Sequence, residues 1–313
     1  MDSLNKQADS KKITEAVNTI KQRIPGVELK NEEPLKNHTT FKIGGPVRVM
    51  FFPDSTDTFI EILNILGEFE ISPLIIGNGS NILAADDVHE YVVINTLKLD
   101  GILLSENELK VEAGVLLSKL AVFACESGLT GLEFAHGIPG TAGGAVVMNA
   151  GAYGAEMKDV VVSTTAYNKE NGMYTLTAAE NGFSYRHSRF TDTEDIVLSV
   201  TLRLQCCDKK EIKQKMDDLY ARRRSSQPLE LPSGGSTFKR PKEGYAAALI
   251  EQAGLKGFAI GDAQVSDKHA GFIVNNNNAT FIEAISLIKH VQEEVDKQFG
   301  VRLEPEIRII GKE

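Results

Sequence analysis

Apolar positions recur at helical spacing in five stretches of the chain. Ile13, Val17, Ile20 and Ile24 follow one another at intervals of four, three and four, which predicts one buried helix face, capped by Ser10 and stopped by Pro25-Gly26. Asp54-Ser55 introduces a second helix with Phe59, Ile62, Leu63 and Leu66 inward and Gly67 as its stop. Residues 118–126 read as a third, ended by Gly128. Residues 208–224 read as a charged helix whose apolar face is Ile212, Met216, Leu219 and Tyr220. Near the end, Thr280 and Glu283 form a capping box ahead of the stripe Phe281, Ile285, Ile288, Val295 and Phe299, which Gly300 closes.

Short apolar runs bounded by turn residues lie between these helices and predict strands at 47–52, 73–76, 91–94, 109–111, 195–204, 271–274 and 306–310. Short strands mixed with helices indicate an α/β or α+β architecture. The composition shifts where the charged helix begins, and again at the Pro/Ser/Gly loop 228–236, so a domain boundary is expected near residue 206. The last strand is expected to return to the N-terminal part, making the first domain discontinuous. No internal repeat or low-complexity tract is visible.

With 313 residues the chain can bury two or three cores of ordinary size. Its formal charge of −9 argues against a dedicated nucleic-acid binder, which needs a basic surface. No apolar run approaches the roughly 20 residues of a membrane-spanning helix, and the polar stretch Met1–Lys12 lacks the apolar centre of a secretory signal. The three cysteines, Cys125 and the adjacent Cys206-Cys207, fit neither a disulfide framework nor a zinc site. Reduced thiols in a cytoplasmic protein without a metal are expected.

Composition matters most in its distribution of glycine. Of 27 glycines, eight fall between Gly128 and Gly154, where Glu133 is the only charged residue. Two loops there and upstream have the form of anion cradles. In Pro73–Asn81 a buried strand runs into Gly77-Asn78-Gly79-Ser80-Asn81, whose glycines expose main-chain N–H groups while Ser80 and Asn81 add donors. The run Gly137-Ile-Pro139-Gly140-Thr141-Ala-Gly143-Gly144, followed by Asn149, Gly151 and Tyr153, predicts a turn opening a short helix and a backbone packed closely against something flat. Neither is a Walker loop or a Rossmann fingerprint. Each is compatible with tight packing and no ligand, but two in one domain favour a dinucleotide, FAD in particular.

Further chemistry is concentrated in three segments. Gly234-Gly235-Ser236-Thr237-Phe238-Lys239-Arg240 places a serine on a tight turn beside two cations, suited to an anionic substrate; a capping hydroxyl in a turn is the plainer reading. A hydrolase would need the nucleophile elbow, which Phe238 breaks, and a base such as His269 with Asp267 has no spacing support. Phe183–Phe190 interleaves Arg186, His187 and Arg189 with aromatics, as an arginine clamp on a carboxylate or a solvated loop edge. Glu304-Pro305-Glu306 sets two acids ahead of the last strand, either as edge charge or as a general acid or acceptor.

These segments, taken in order, resemble the UDP-N-acetylenolpyruvoylglucosamine reductase family. The motifs are Gly77–Asn81, Gly137–Tyr153, Ser184-Tyr-Arg-His-Ser188, Gly234–Phe238 and Leu303-Glu-Pro-Glu306, and the resemblance runs from about Thr39 to Arg308. It implies an α+β protein with an FAD-binding fold of the vanillyl-alcohol-oxidase type and a C-terminal α+β substrate domain. The FAD-binding region would span 1–206, in lobes of about 1–72 and 73–206 with 301–313 returning to it, and the substrate domain 207–300. It implies non-covalent FAD, with His136 and His187 structural, NADPH as co-substrate and a UDP-sugar enolpyruvyl ether as substrate. The product would be UDP-N-acetylmuramate for peptidoglycan, in the service of cell shape and division. Arg186 resembles the family's carboxylate-stabilising arginine, Ser236 its proton donor and Glu306 its active-site glutamate, with Glu304 as the competitor. Arg224, Lys239 and Arg240 are expected at the UDP phosphates. No inserted tyrosine loop is present, so the chain resembles the family's shorter subtype. An FAD oxidase acting on another alcohol, which would need a base rather than a proton donor, and a nucleotide-binding protein without redox chemistry are the competing readings.

Overall fold

The helix ends show how locally the chain is specified. In the computed structural model, which describes residues 9–87 and 89–311, helix α1 (Ser10–Arg23) is capped by Asp9, whose side chain accepts from the Lys11 N–H. The cap therefore sits one residue before the expected Ser10, which is already helical. The first eight residues of the polar leader, and the last two of the expected C-terminal return, lie outside the described residues. Helix α2 (Thr56–Glu68) takes its cap from Ser55 as expected, but runs through Gly67 to Glu68. A glycine in the last turn costs only about 1 kcal/mol against alanine and does not by itself end a helix. Helices α3 (Leu117–Glu126) and α4 (Ala142–Val147) follow, the latter capped by the Thr141 hydroxyl on the Gly144 N–H. Then come α5 (Lys209–Ser226), α6 (Ala246–Gln252) and α7 (Phe281–Phe299). In α7 the Thr280/Glu283 capping box is complete in both directions, and Gly300 closes the helix at φ +67°.

Three main sheets carry these helices. The first has strands Leu29–Pro34, Pro46–Phe51, His89–Asn95 and Leu74–Ile76 in that spatial order, the first pair antiparallel and the other pairings parallel. The second is antiparallel, in the order Gly172–Thr177, Val161–Asn168, Ile196–Arg203, Glu108–Glu112, Ile102–Ser105. The third joins Ala259–Ile260, Ala263–Val265 and Ile273–Asn275. The strand Arg308–Ile310 pairs in parallel with Ile82–Ala84, next to the Gly77–Asn81 loop.

The cores follow the sheets. Helices α1 and α2 cover one face of the first sheet through Ile13, Ile20, Phe59, Ile62 and Leu66. Leu35, Val47, Met50 and Val93 form the core on its other side, and Ile310 joins them from the C-terminus. The second sheet packs against α3 and α4 through Val111, Leu120, Val146 and Val200. Ile212 and Met216 of α5 belong to this same core. The helix expected to open the substrate domain therefore packs with the preceding unit, and the composition shift at residue 206 marks a change in surface charge. The C-terminal core gathers Phe238, Ile250, Val265, Ile273, Phe281, Ile288 and Val295, together with Val301, Leu303 and Ile307. Within the final segment, packing thus divides at about Ile307: the residues before Arg308 stay with α7, and the last strand crosses back. Phe41, Ile43 and Leu83 reach into the C-terminal core from the first unit, so the units interlock.

The apolar face expected on α5 is shorter than predicted. Tyr220 is 44% exposed, because the second half of the helix overhangs a crevice lined by Phe134, Gly137 and Tyr153 rather than the core.

Candidate active site

The two glycine loops meet face to face. The Asn78 side chain donates to the Pro139 carbonyl at 2.7 Å, and a Cβ on Gly77 would fall 2.4 Å from Thr141 Oγ1. Gly79 has φ +59°, and a Cβ there would fall 2.1 Å from the His38 carbonyl oxygen, so this position admits no side chain. Among the described residues the main-chain N–H groups of Asn78, Gly79, Ser80 and Asn81 have no partner within the protein, and neither do those of Gly140 and Thr141. Six unclaimed donors on two opposed loops suit a dinucleotide's phosphates, and the residues present fit FAD in this respect.

Not every residue expected at the cofactor is free for it. The Gly143 N–H is taken by the Ala113 carbonyl and that of Gly144 by Thr141 Oγ1, so both glycines serve the close packing of α4. Asn149 is fully buried and held at φ +40°. Its Nδ2 donates to Glu156 Oε2 at 2.8 Å and to the Ser184 carbonyl at 2.9 Å, while its Oδ1 accepts from the Lys158 N–H. Every hydrogen-bonding group of that amide is used inside the protein, which leaves none for a cofactor; Asn149 instead braces the turn 184–187. Gly151 contributes its carbonyl to Arg186, and a Cβ there would meet the Ala155 carbonyl at 2.6 Å. Tyr153, at φ +56°, is 46% exposed at the crevice.

The turn that Asn149 braces carries Arg186. Ser184 and His187 bridge to each other, Ser188 Oγ donates to the Val147 carbonyl, and Arg186 occupies the left-handed region at φ +52°. A non-glycine residue there is strained and persists only where its surroundings hold it. The guanidinium donates from Nη2 to the Gly151 carbonyl at 2.8 Å, and its Nε lies 3.3 Å from Glu306 Oε1. Glu306 is brought there by the C-terminal segment: its N–H donates to the Thr237 carbonyl, and the Lys239 N–H donates to the Glu304 carbonyl. Ser236 thus sits on the backbone stretch that pairs with Glu306. Gly235, at φ +81°, makes the preceding turn, and Gly234 has no room for a Cβ, which would fall 2.2 Å from the Ile307 side chain. The Ser236 hydroxyl donates only a long 3.4 Å bond to the Phe238 carbonyl.

Burial pushes the Glu306 carboxyl above the usual carboxylate range, with Arg186 and Lys239 pulling the other way. Glu304 is 73% exposed against 14% for Glu306, and its partner is the surface Lys239 at 3.3 Å. Burial therefore separates the two acids of the Glu-Pro-Glu motif. His269 accepts from the Gly271 N–H through Nδ1, a turn-forming role, and burial lowers its pKa.

The cations expected at phosphates are arranged differently. The Arg240 guanidinium stacks on the Tyr245 ring at 4.0 Å and donates to the Gly244 carbonyl, while Lys239 faces Glu304. Arg224 is exposed on α5. Its neighbour Arg223 turns inward instead: a Cβ on Gly137 would lie 2.8 Å from Arg223 Cδ. Sequence reasoning passed over Arg223, because three consecutive arginines carry no local sign of which one faces the protein.

Residues 47–177 match the FAD binding domain family. With the paired glycine loops and their unclaimed N–H groups, this defines an FAD-binding protein with an appended C-terminal unit. That unit, residues 227–310, matches the family described as UDP-N-acetylenolpyruvoylglucosamine reductase, C-terminal domain. The UDP-N-acetylenolpyruvoylglucosamine reductase of Caldanaerobacter subterraneus subsp. tengcongensis is 46% identical over 296 residues, covering 95% of this chain and 98% of that protein. The reductase of the same name from Clostridium novyi is 45% identical over 286 residues, covering 91% and 93%. The crystal structure of UDP-N-acetylenolpyruvylglucosamine reductase from Thermus caldophilus superposes with a TM-score of 0.78 at 32% identity, covering 91% of this chain and 99% of that one. The chain belongs to the UDP-N-acetylenolpyruvoylglucosamine reductase family.

Proposed function

We propose that this protein reduces the enolpyruvyl ether of UDP-N-acetylglucosamine to UDP-N-acetylmuramate, using non-covalently held FAD and NADPH, and acts in the cytoplasm in peptidoglycan precursor synthesis. The observation that carries the reading is the contact between Arg186 and the buried Glu306, beside the Ser236 segment, in a member of this family. When bound, FAD would take a hydride from NADPH and deliver it to the vinyl carbon of the substrate. The loops Gly77–Asn81 and Pro139–Thr141 would hold its phosphates through main-chain N–H groups.

The remaining chemistry belongs to the side chains. As negative charge builds on the substrate carboxylate, Arg186 would stabilise it from a position already fixed by Gly151 and by the turn at 184–187. Glu306, whose pKa burial raises, would orient the Arg186 guanidinium toward that carboxylate through their 3.3 Å contact. The Ser236 hydroxyl, held only by its long bond to Phe238, is able to turn and supply the proton to the neighbouring carbon. Lys239 and Arg240 lie on the same segment, where the nucleotide end of the substrate would extend.

The test is a two-step reduction. The purified protein should be yellow, NADPH should bleach it, and the enolpyruvyl UDP-sugar should restore the colour faster than oxygen does. A colourless protein, or flavin that the UDP-sugar fails to reoxidise, would remove this reading.

A further inference from the structure

Three polar atoms without partners lie where the Gly137 loop meets the second half of α5. They are Arg223 Nε, Gln227 Oε1 and His136 Nδ1, each buried. Arg223 and Gln227 are four residues apart, so they share a face at the helix end; the Gln227 N–H donates to the Arg223 carbonyl. His136 precedes Gly137, beneath which Arg223 runs, and its ring meets the Tyr220 ring edge-on at 5.6 Å. Buried polar groups in folded proteins are nearly always hydrogen-bonded, so three orphans in adjoining segments need an explanation.

Among the described residues no carboxylate pairs with Arg223. The buried carboxylate nearby, Glu133, is already satisfied by the Thr130 hydroxyl, the Gly131 N–H and Lys215. Tyr153 lies across the crevice. Arg222 and Arg224, on either side, are exposed. A guanidinium is a rigid planar fork that stays charged and matches phosphate oxygens two at a time. Burial acts against its charge here, and a bound anion would offset that cost.

We propose that Arg223, with His136 beside it, binds the diphosphate of a nucleotide, and that it rather than Arg224 is the phosphate-binding arginine of α5. This rests on the function proposed above, which supplies two ligands of that chemistry, the cofactor and the UDP-sugar.

The experiment separates them. FAD release from the holoenzyme is followed by flavin fluorescence on dilution, and UDP binding to the holoenzyme by calorimetry, for the wild type, Arg223→Met, Arg222→Ala and Arg224→Ala. Arg223→Met keeps the stem packed under Gly137, and Arg223→Gln stands in if that variant does not fold. The Arg223 variant should weaken one ligand by about 10–100-fold, the range for a lost charged hydrogen bond, with an unchanged melting temperature. Weaker FAD assigns the anion to the cofactor; weaker UDP assigns it to the substrate. Arg222→Ala should change neither. Both affinities within twofold of wild type in a folded Arg223 variant, or the loss appearing in Arg224→Ala instead, overturns the proposal. A wild type that holds neither FAD nor UDP would sink the functional reading separately. Inorganic pyrophosphate then becomes the probe, and equal binding to wild type and Arg223→Met rejects the site.

Discussion

Arg186 and Glu306 are brought within 3.3 Å of each other by segments 120 residues apart, one braced by Asn149 and the other held against the Thr237 backbone just before the last strand. The pair ties the glycine-rich unit to the C-terminal unit at the point where the Ser236 backbone arrives.

Replacing Ser236 with alanine should leave flavin reduction by NADPH nearly intact. Reoxidation by the enolpyruvyl substrate should slow by roughly 10²–10⁴, the usual range for loss of a positioned acid. Stopped-flow absorbance measures the two halves apart; equal damage to both would remove Ser236 from the donor role.

Glu306 makes a pH prediction whose sign follows from its raised pKa. A carboxyl whose folded pKa exceeds its unfolded value contributes stability below the unfolded pKa and loses it as pH rises through the folded one. Glu306→Gln should therefore gain melting temperature relative to wild type as pH is raised from about 4 toward neutrality, with little difference at the acid end. Reoxidation by substrate should meanwhile be slowed in Glu306→Gln. A difference in melting temperature that shrinks over that interval would contradict the raised pKa.

Asn149→Ala leaves the Lys158 N–H without its partner, while the Ser184 carbonyl keeps the His187 N–H and Glu156 Oε2 keeps Lys158 Nζ. Leaving a buried group unsatisfied costs about 1–3 kcal/mol, so a loss of that size is expected from urea unfolding. The turn bearing Arg186 should loosen, lowering the rate of the substrate half-reaction more than flavin affinity. Loss of flavin with an unchanged substrate step would return Asn149 to the cofactor.

Gly79 and Gly137 should respond differently to alanine. At Gly79 the new Cβ would meet a main-chain oxygen at 2.1 Å in a left-handed backbone, so Gly79→Ala should destabilise the loop and release flavin. At Gly137 the obstacle is the flexible Arg223 side chain at 2.8 Å. Gly137→Ala should fold with nearly wild-type stability while displacing Arg223. Melting curves and flavin content of the two variants distinguish these outcomes.

Much of this was legible in the chain itself. Helix periodicity, the Thr280/Glu283 box and the Gly77–Asn81 loop depend on contacts within a few residues, which adjacent side chains specify. The resemblance carried by five ordered motifs led to the family; that Glu306 is the buried acid of the Glu-Pro-Glu motif and Glu304 the exposed one is visible only in the fold. Local pattern did not reveal which groups other parts of the chain consume. Asn149 reads like a ligand-facing amide until Glu156, Ser184 and Lys158 are seen around it. Likewise Gly143 and Gly144 read as an anion turn until Ala113 and Thr141 claim their N–H groups. The shift to charged sequence after residue 206 reads as a domain edge, yet Ile212 and Met216 bury themselves in the preceding core. By itself the sequence determined the elements and the chemistry available. Tertiary structure decided which donors stay unclaimed, which arginine of three turns inward and where the units divide, because each depends on packing partners distant in the chain.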